Sequence, residues 1–187
     1  ADVFHRIREL WRQRRGAAPS SERFFEDAEG HRYRARFDRS EPFELGEAAF
    51  GQRHTFWFLR NDVRDRFEAA QRSRASCRFA DARMKAAFEP LLPQGRFLWG
   101  PSGGLVETPR LPGFWRLRSL LAHHPDGLPP RHVAWMVSAL LNLACYLEHT
   151  GVVHQALLAD YVWVDAATHC IALPGAWFYA AASRCSG

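Results

Sequence analysis

Gly151-Val-Val-His-Gln-Ala-Leu-Leu-Ala-Asp-Tyr-Val-Trp-Val-Asp165, followed by Cys170-Ile-Ala-Leu-Pro-Gly175, decides how this chain is read. Gly151 stops a long helical pattern. A loop then carries His154, Gln155, Ala156, Asp160 and Tyr161 into two short apolar runs, around Val162 and Ile171. Short apolar runs on either side of a turn predict a small hairpin. Leu173-Pro174-Gly175 follows the second run.

The stretch resembles the catalytic core of the protein kinase family. There, His-Arg-Asp-Leu, three variable residues and Asn precede an apolar strand, a turn and Asp-Phe-Gly. His154, Leu157 and the apolar residues 162–164 keep that spacing. The polar residues are replaced. Gln155 stands for the Arg, Ala156 for the catalytic Asp and Tyr161 for the metal-binding Asn. Leu173, Pro174 and Gly175 stand for Asp-Phe-Gly. The resemblance implies a scaffold without proton acceptor or metal ligands, in which ordinary phosphoryl transfer does not run. It also implies that His154 packs and hydrogen-bonds the loop and is not a base. Asp160 and Asp165 are expected in turn or cap roles.

Upstream, residues 3–15 read as a basic amphipathic helix, and residues 16–21 as a turn or linker. Residues 31–37 alternate polar and apolar, and residues 53–59 are rich in aromatics; both predict strands. Asn61-Asp62 is placed to cap a helix over 63–74. A second helix is expected over 79–92, and two strands around the turn at 101–104. Residues 109–113 form a crossing. A short helix over 114–122 and a long apolar one over 131–149 follow. In the long helix, Trp135, Leu140, Leu141, Ala144 and Leu147 are the expected inward face. This order of elements is similar to that of protein kinases, from the first strand to the Asp-Phe-Gly position.

Gly46-Glu-Ala-Ala-Phe-Gly51 is a possible remnant of a kinase nucleotide loop, in which Gly46 and Gly51 would let the backbone approach phosphate. The next strand lacks the phosphate-binding Lys and offers Phe58 and Leu59 instead. Arg60 is a potential stand-in, and Glu89 is a carboxylate left without its Lys. A competing motif is His124-Pro125-Asp126, between two predicted helices. It resembles the signature tripeptide of J-domain cochaperones, where it contacts the heat-shock chaperone.

At 47% apolar and 13% aromatic residues, the chain has the composition of a folded protein. No run approaches the ~20 apolar residues of a membrane helix, and no leader pattern opens the chain. Cys77, Cys145, Cys170 and Cys185 are too scattered for a metal knuckle or a disulfide framework. All 25 basic residues except Lys85 are arginine, a bias that suits a GC-rich coding sequence and also bidentate anion contacts.

The expected fold is α+β: bilobal and protein kinase-like, with the C-lobe truncated or reduced after the Asp-Phe-Gly position. Residues 1–22 would be a basic helix and linker, 23–108 an N-lobe-like region and 109–187 a partial C-lobe-like region. The expected function is a catalytically inactive binding or scaffold module in the cytoplasm, with another protein as partner. Nucleotide binding is expected to be weak or absent, with no cofactor, metal, membrane or nucleic acid. The alternatives are a J-domain-type cochaperone acting through His124, Pro125 and Asp126, and a divergent kinase-fold phosphotransferase.

Overall fold

The computed structural model describes residues 21–92, 94–111, 113–155, 157–174 and 176–182. The expected helix over 3–15, Ala156, Gly175 and Cys185 lie outside the described residues.

The chain is α+β. Strands β1 (Ser21–Glu26) and β2 (Arg32–Phe37) form an antiparallel hairpin. Next come β3 (Arg39–Phe43), β4 (Gly46–Phe50), β5 (His54–Leu59), β6 (Arg96–Gly100) and β7 (Gly103–Pro109). These five strands make one antiparallel sheet in the order β3-β4-β5-β7-β6. Helices α1 (Arg64–Ser76) and α2 (Ala82–Phe88) lie between β5 and β6 in the chain. After the crossing come β8 (Trp115–Arg116), α3 (Leu117–Ala122), α4 (Pro130–His149) and β9 (Val152–His154). Strands β10 (Trp163–Asp165) and β11 (Cys170–Ala172), a 3-10 turn (Ala176–Tyr179) and β12 (Ala180–Ala182) close the described chain. β10 pairs with both β11 and β8, and β12 pairs with β9.

The aromatic run of β5 is explained by burial on both faces. Trp57 and Leu59 face one core, with Ala48, Phe67 and Val106. Phe56 and Phe58 face the other, where Phe25, Ala35 and Phe37 of the β1–β2 hairpin cover the sheet. An antiparallel strand with one wet face would alternate apolar with polar residues; covering the second face removes that need. Ser21 and Glu22, expected in a linker, belong to β1.

The first core is shared across the expected lobe boundary. It runs from Leu45, Trp57 and Val106 to Leu143, Tyr146 and Leu147 of α4, and on to Leu173 and Phe178. Tyr146 is the joint on the α2 side: its ring stacks on Phe88 at 4.3 Å and on Phe79 at 5.8 Å.

Helix ends differ in part from the sequence reading. Asp81 caps α2, accepting from Met84 N at 2.7 Å, and the helix is shorter than expected. Asn61 and Asp62 do not cap α1. Asn61 Nδ2 donates to the Pro101 carbonyl at 3.0 Å and Asp62 pairs with Arg60, so a 3-10 turn (Asn61–Val63) leads into the helix.

The inward face of α4 is also corrected. Met136, Leu143, Tyr146 and Leu147 are buried. Leu141, expected inside, is 60% exposed, on one stripe with Val133 and Val137. Arg131, Ser138, Asn142 and His149 share one polar line, but the apolar arc opposite is wide enough to take in the Val133–Val137–Leu141 stripe as well as the buried one, so periodicity alone does not choose between them. Leu143→Ala is therefore expected to cost about 2–5 kcal/mol in urea unfolding, and Leu141→Ala within about 0.5 kcal/mol. Equal losses would place Leu141 in the core after all.

Candidate binding cleft beneath the five-stranded sheet

The elements that would form a nucleotide cleft in the kinase reading meet under β3, β4 and β5, and aromatic side chains fill the space. Trp57 is 2% exposed. Its ring meets Phe43 edge-on at 5.5 Å and lies 6.4 Å from Phe178 and 6.5 Å from Phe50. Phe50 in turn meets Trp163 of β10 at 6.1 Å. What remains open is a cavity of about 180 Å³ lined by Glu41, Phe43, Trp57, Arg116, Asp160 and Tyr161. Small-molecule sites usually offer about 300–1,000 Å³.

A polar chain ties the cleft shut. Tyr179 donates to Glu44 Oε2 at 2.8 Å, so the 3.0 Å bond between the two phenols has Tyr161 as donor to Tyr179. Glu44 Oε1 lies 3.4 Å from Arg66 Nη1 of α1, and Arg60 Nη1 donates to the Glu44 carbonyl at 2.6 Å. The Arg66 guanidinium stands 5.7 Å over the Tyr179 ring. Beside this chain, Arg116 pairs with Glu41 of β3, and Arg118 pairs with Asp160. Glu41, Glu44, Arg66 and Tyr179 carry no local sequence signal for these contacts. Tyr179 and Glu44 are 135 positions apart.

The structure places the remaining candidates as follows. His154 ends β9 opposite Ala180, and its ring meets Trp177 edge-on at 6.4 Å. Gln155 is exposed and donates its backbone N–H to the Tyr179 carbonyl at 3.0 Å. Leu173 is 1% exposed, inside the core, and Pro174 is half-buried. Leu157 is 47% exposed. Asp165 clamps the β10–β11 turn, accepting from Ala167 N at 2.9 Å and Thr168 Oγ1 at 2.7 Å. Arg60 is held by Asp62 and the Glu44 carbonyl. Glu89 lies beside Lys85 at 3.8 Å.

Gly46 and Gly51 bracket β4, and the β3–β4 turn is Glu44-Leu45. A Cβ at Gly46 would stand 2.0 Å from the Phe58 carbonyl oxygen, and one at Gly51 2.5 Å from that of Arg36. The chain's own backbone requires both glycines, and phosphate is not needed to explain them.

His124 opens a tight turn in which Gly127 N donates to its carbonyl at 2.9 Å. Pro125 and Asp126 are exposed, whereas His124 is half-buried with Nε2 enclosed. The preceding helix α3 has six residues.

Asp27, Glu29 and His31 group three metal-ligand types within 4.8 Å. Asp27 already accepts from Glu29 N, His31 N and the Tyr33 hydroxyl, which makes it the clamp of the β1–β2 turn. No helix among the described residues is long and apolar enough to cross a membrane. No protein-family model matches the chain, and no curated protein matches it in sequence.

Burial, and then the bonds to Tyr161 and Glu44, push the Tyr179 phenol above its ordinary 10.0; burial does the same to Tyr146. The folded chain keeps these protons where the unfolded chain releases them. The stabilisation is therefore complete below about pH 10 and declines as pH rises above it. Tyr179→Phe is expected to cost about 0.5–1.5 kcal/mol in urea unfolding at neutral pH and to make that alkaline decline shallower. An unchanged alkaline slope would remove Tyr179 from the latch.

Proposed function

We propose that this chain is a catalytically silent, protein kinase-like binding module. The observation that carries the reading is the aromatic filling of the cleft. Trp57, Phe43, Phe178 and the Tyr161–Tyr179 pair occupy the space that a nucleotide would need.

Two further observations support it. From β3 onward the described elements run as three strands, helices, two strands, a crossing with a short strand and helix, a long helix, a loop and a hairpin, in the order the resemblance implies. The positions that carry chemistry in a working kinase hold groups that cannot perform it. Tyr161 and Leu173 offer no carboxylate or amide to Mg²⁺, Ala156 cannot accept a proton, and β5 has no Lys for the phosphates. The cochaperone alternative has less support, because the helix before His124 spans six residues and the imidazole Nε2 is enclosed. The phosphotransferase alternative needs displaced metal ligands, yet Asp160 is paired with Arg118 and Asp165 is committed to a turn.

The test is thermal unfolding with Mg-ATP together with radiolabelled phosphoryl transfer. Millimolar Mg-ATP is expected to leave the melting temperature unchanged, and no label should appear on the chain. A rise of several degrees, or label lost on changing Asp160 or Asp165, would sink the reading.

A further inference from the structure

A second cleft, of about 460 Å³, lies between the C-terminal half of α1, the segment leading into α2 and strand β6. Its volume falls in the range of ligand sites, unlike the filled cleft. Phe79, Leu92 and Phe97 give it an apolar lining, with Cys77 beside them. Burial pushes the Cys77 thiol up, so this lining carries no thiolate at neutral pH.

Two features of its rim narrow the choice of occupant. The first is the sheet edge. β6 is the last strand of its sheet, so one side of it has no strand neighbour. The Trp99 carbonyl points to that side and accepts from Ala28 N at 3.0 Å. Antiparallel bonding alternates along a strand, so the N–H and C=O of Phe97, two residues back, point to the same side, beside the cleft. Among the described residues no backbone bond from outside the sheet covers them. An extended segment can therefore pair with this edge and place alternate side chains in the cleft.

The second feature is charge. Arg74 lines the cleft with its guanidinium 5.3 Å over the Phe97 ring, and no described carboxylate lies within ion-pair distance of it. Arg78, beyond Cys77, donates to the Ala75 carbonyl at 3.0 Å and likewise has no described acidic partner. Glu89, the acid in the lining, is offset by Lys85 at 3.8 Å. The mouth is positive and the floor apolar.

We infer that this cleft docks an extended segment of a partner protein, pairing along β6, with an apolar side chain on Phe79 and Phe97 and an acidic one at Arg74. The inference rests on the reading of the chain as a binding module and states where and what it binds.

The probe is a fluorescein-labelled, N-acetylated octapeptide alternating Val or Phe with Asp. It is followed by anisotropy against the whole chain, with the same peptide carrying Lys for Asp as control. The wild-type chain is expected to bind the acidic peptide saturably and the Lys peptide at least tenfold more weakly. Arg74→Glu should weaken the acidic peptide at least tenfold. Ala75→Trp, on an exposed position of the lining, should fill the mouth and abolish binding. Far-ultraviolet circular dichroism and melting temperature establish that each variant is folded; if one is not, the other carries the test. Absence of saturable binding, equal affinity for both peptides, or binding indifferent to the variants overturns the proposal. Nucleotide results are a separate axis. An Mg-ATP shift would sink the silent-module reading and leave a positive peptide result standing. Peptide failure in a nucleotide-insensitive chain sinks the docking site alone.

Discussion

Trp57 is the side chain on which the arrangement depends. It sits on the central strand of the five, 2% exposed, between Phe43 on the edge strand and Phe178 near the end of the described chain. Burying an aromatic of this size contributes on the order of 3 kcal/mol or more, well above an exposed ion pair. The contact joins segments more than a hundred positions apart. The sheet thus cannot move off the C-terminal half without exposing Trp57 and its partners together. The opposite face of β5 is closed by the β1–β2 hairpin, so the strand has nowhere to turn either.

The polar chain plays a different part. Arg60–Asp62 and Arg66–Glu44 are mostly exposed, and pairs of this kind contribute about 0–1 kcal/mol each. Their value is geometric. Glu44 receives Tyr179 on one oxygen and Arg66 on the other, while its carbonyl receives Arg60. That fixes the β3–β4 turn against both α1 and the last 3-10 turn. Packing supplies the energy of closure, and the Glu44 cluster sets its register.

Much of this order was legible in the chain itself, because turn and periodicity signals are local. The turn at 101–104, the apolar β5, the stop at Gly151 and the hairpin at 163–172 all follow from neighbouring residues. What was not legible depended on distant partners. Ser21–Glu26 pairs with β2 although its first residues look like linker. Which part of the wide apolar arc of α4 turns inward is set by distant partners such as the Phe79 and Phe88 rings on Tyr146. Glu44 and Tyr179 gave no local signal. Gly46 and Gly51 show the limit of a local pattern: it fits a phosphate loop, and close approach to the Phe58 and Arg36 carbonyls also explains it without a ligand.

Under the proposed reading, apolar groups at positions where a kinase carries polar ones are physically self-consistent. An ammonium or carboxylate enclosed beside Trp57 and Leu173 would face a desolvation penalty of several kcal/mol unless a counter-charge met it. In a working kinase the phosphates and Mg²⁺ supply that counter-charge. Trp57 at 2% exposure and Leu173 at 1% are apolar side chains that pack without needing such a counter-charge. Each packed side chain also narrows the space that a nucleotide would need. An Asp placed at position 173 would bury an unpaired carboxylate among apolar neighbours without building a metal site. Under the proposed reading, nucleotide binding would therefore require the aromatic filling and the charges to change together.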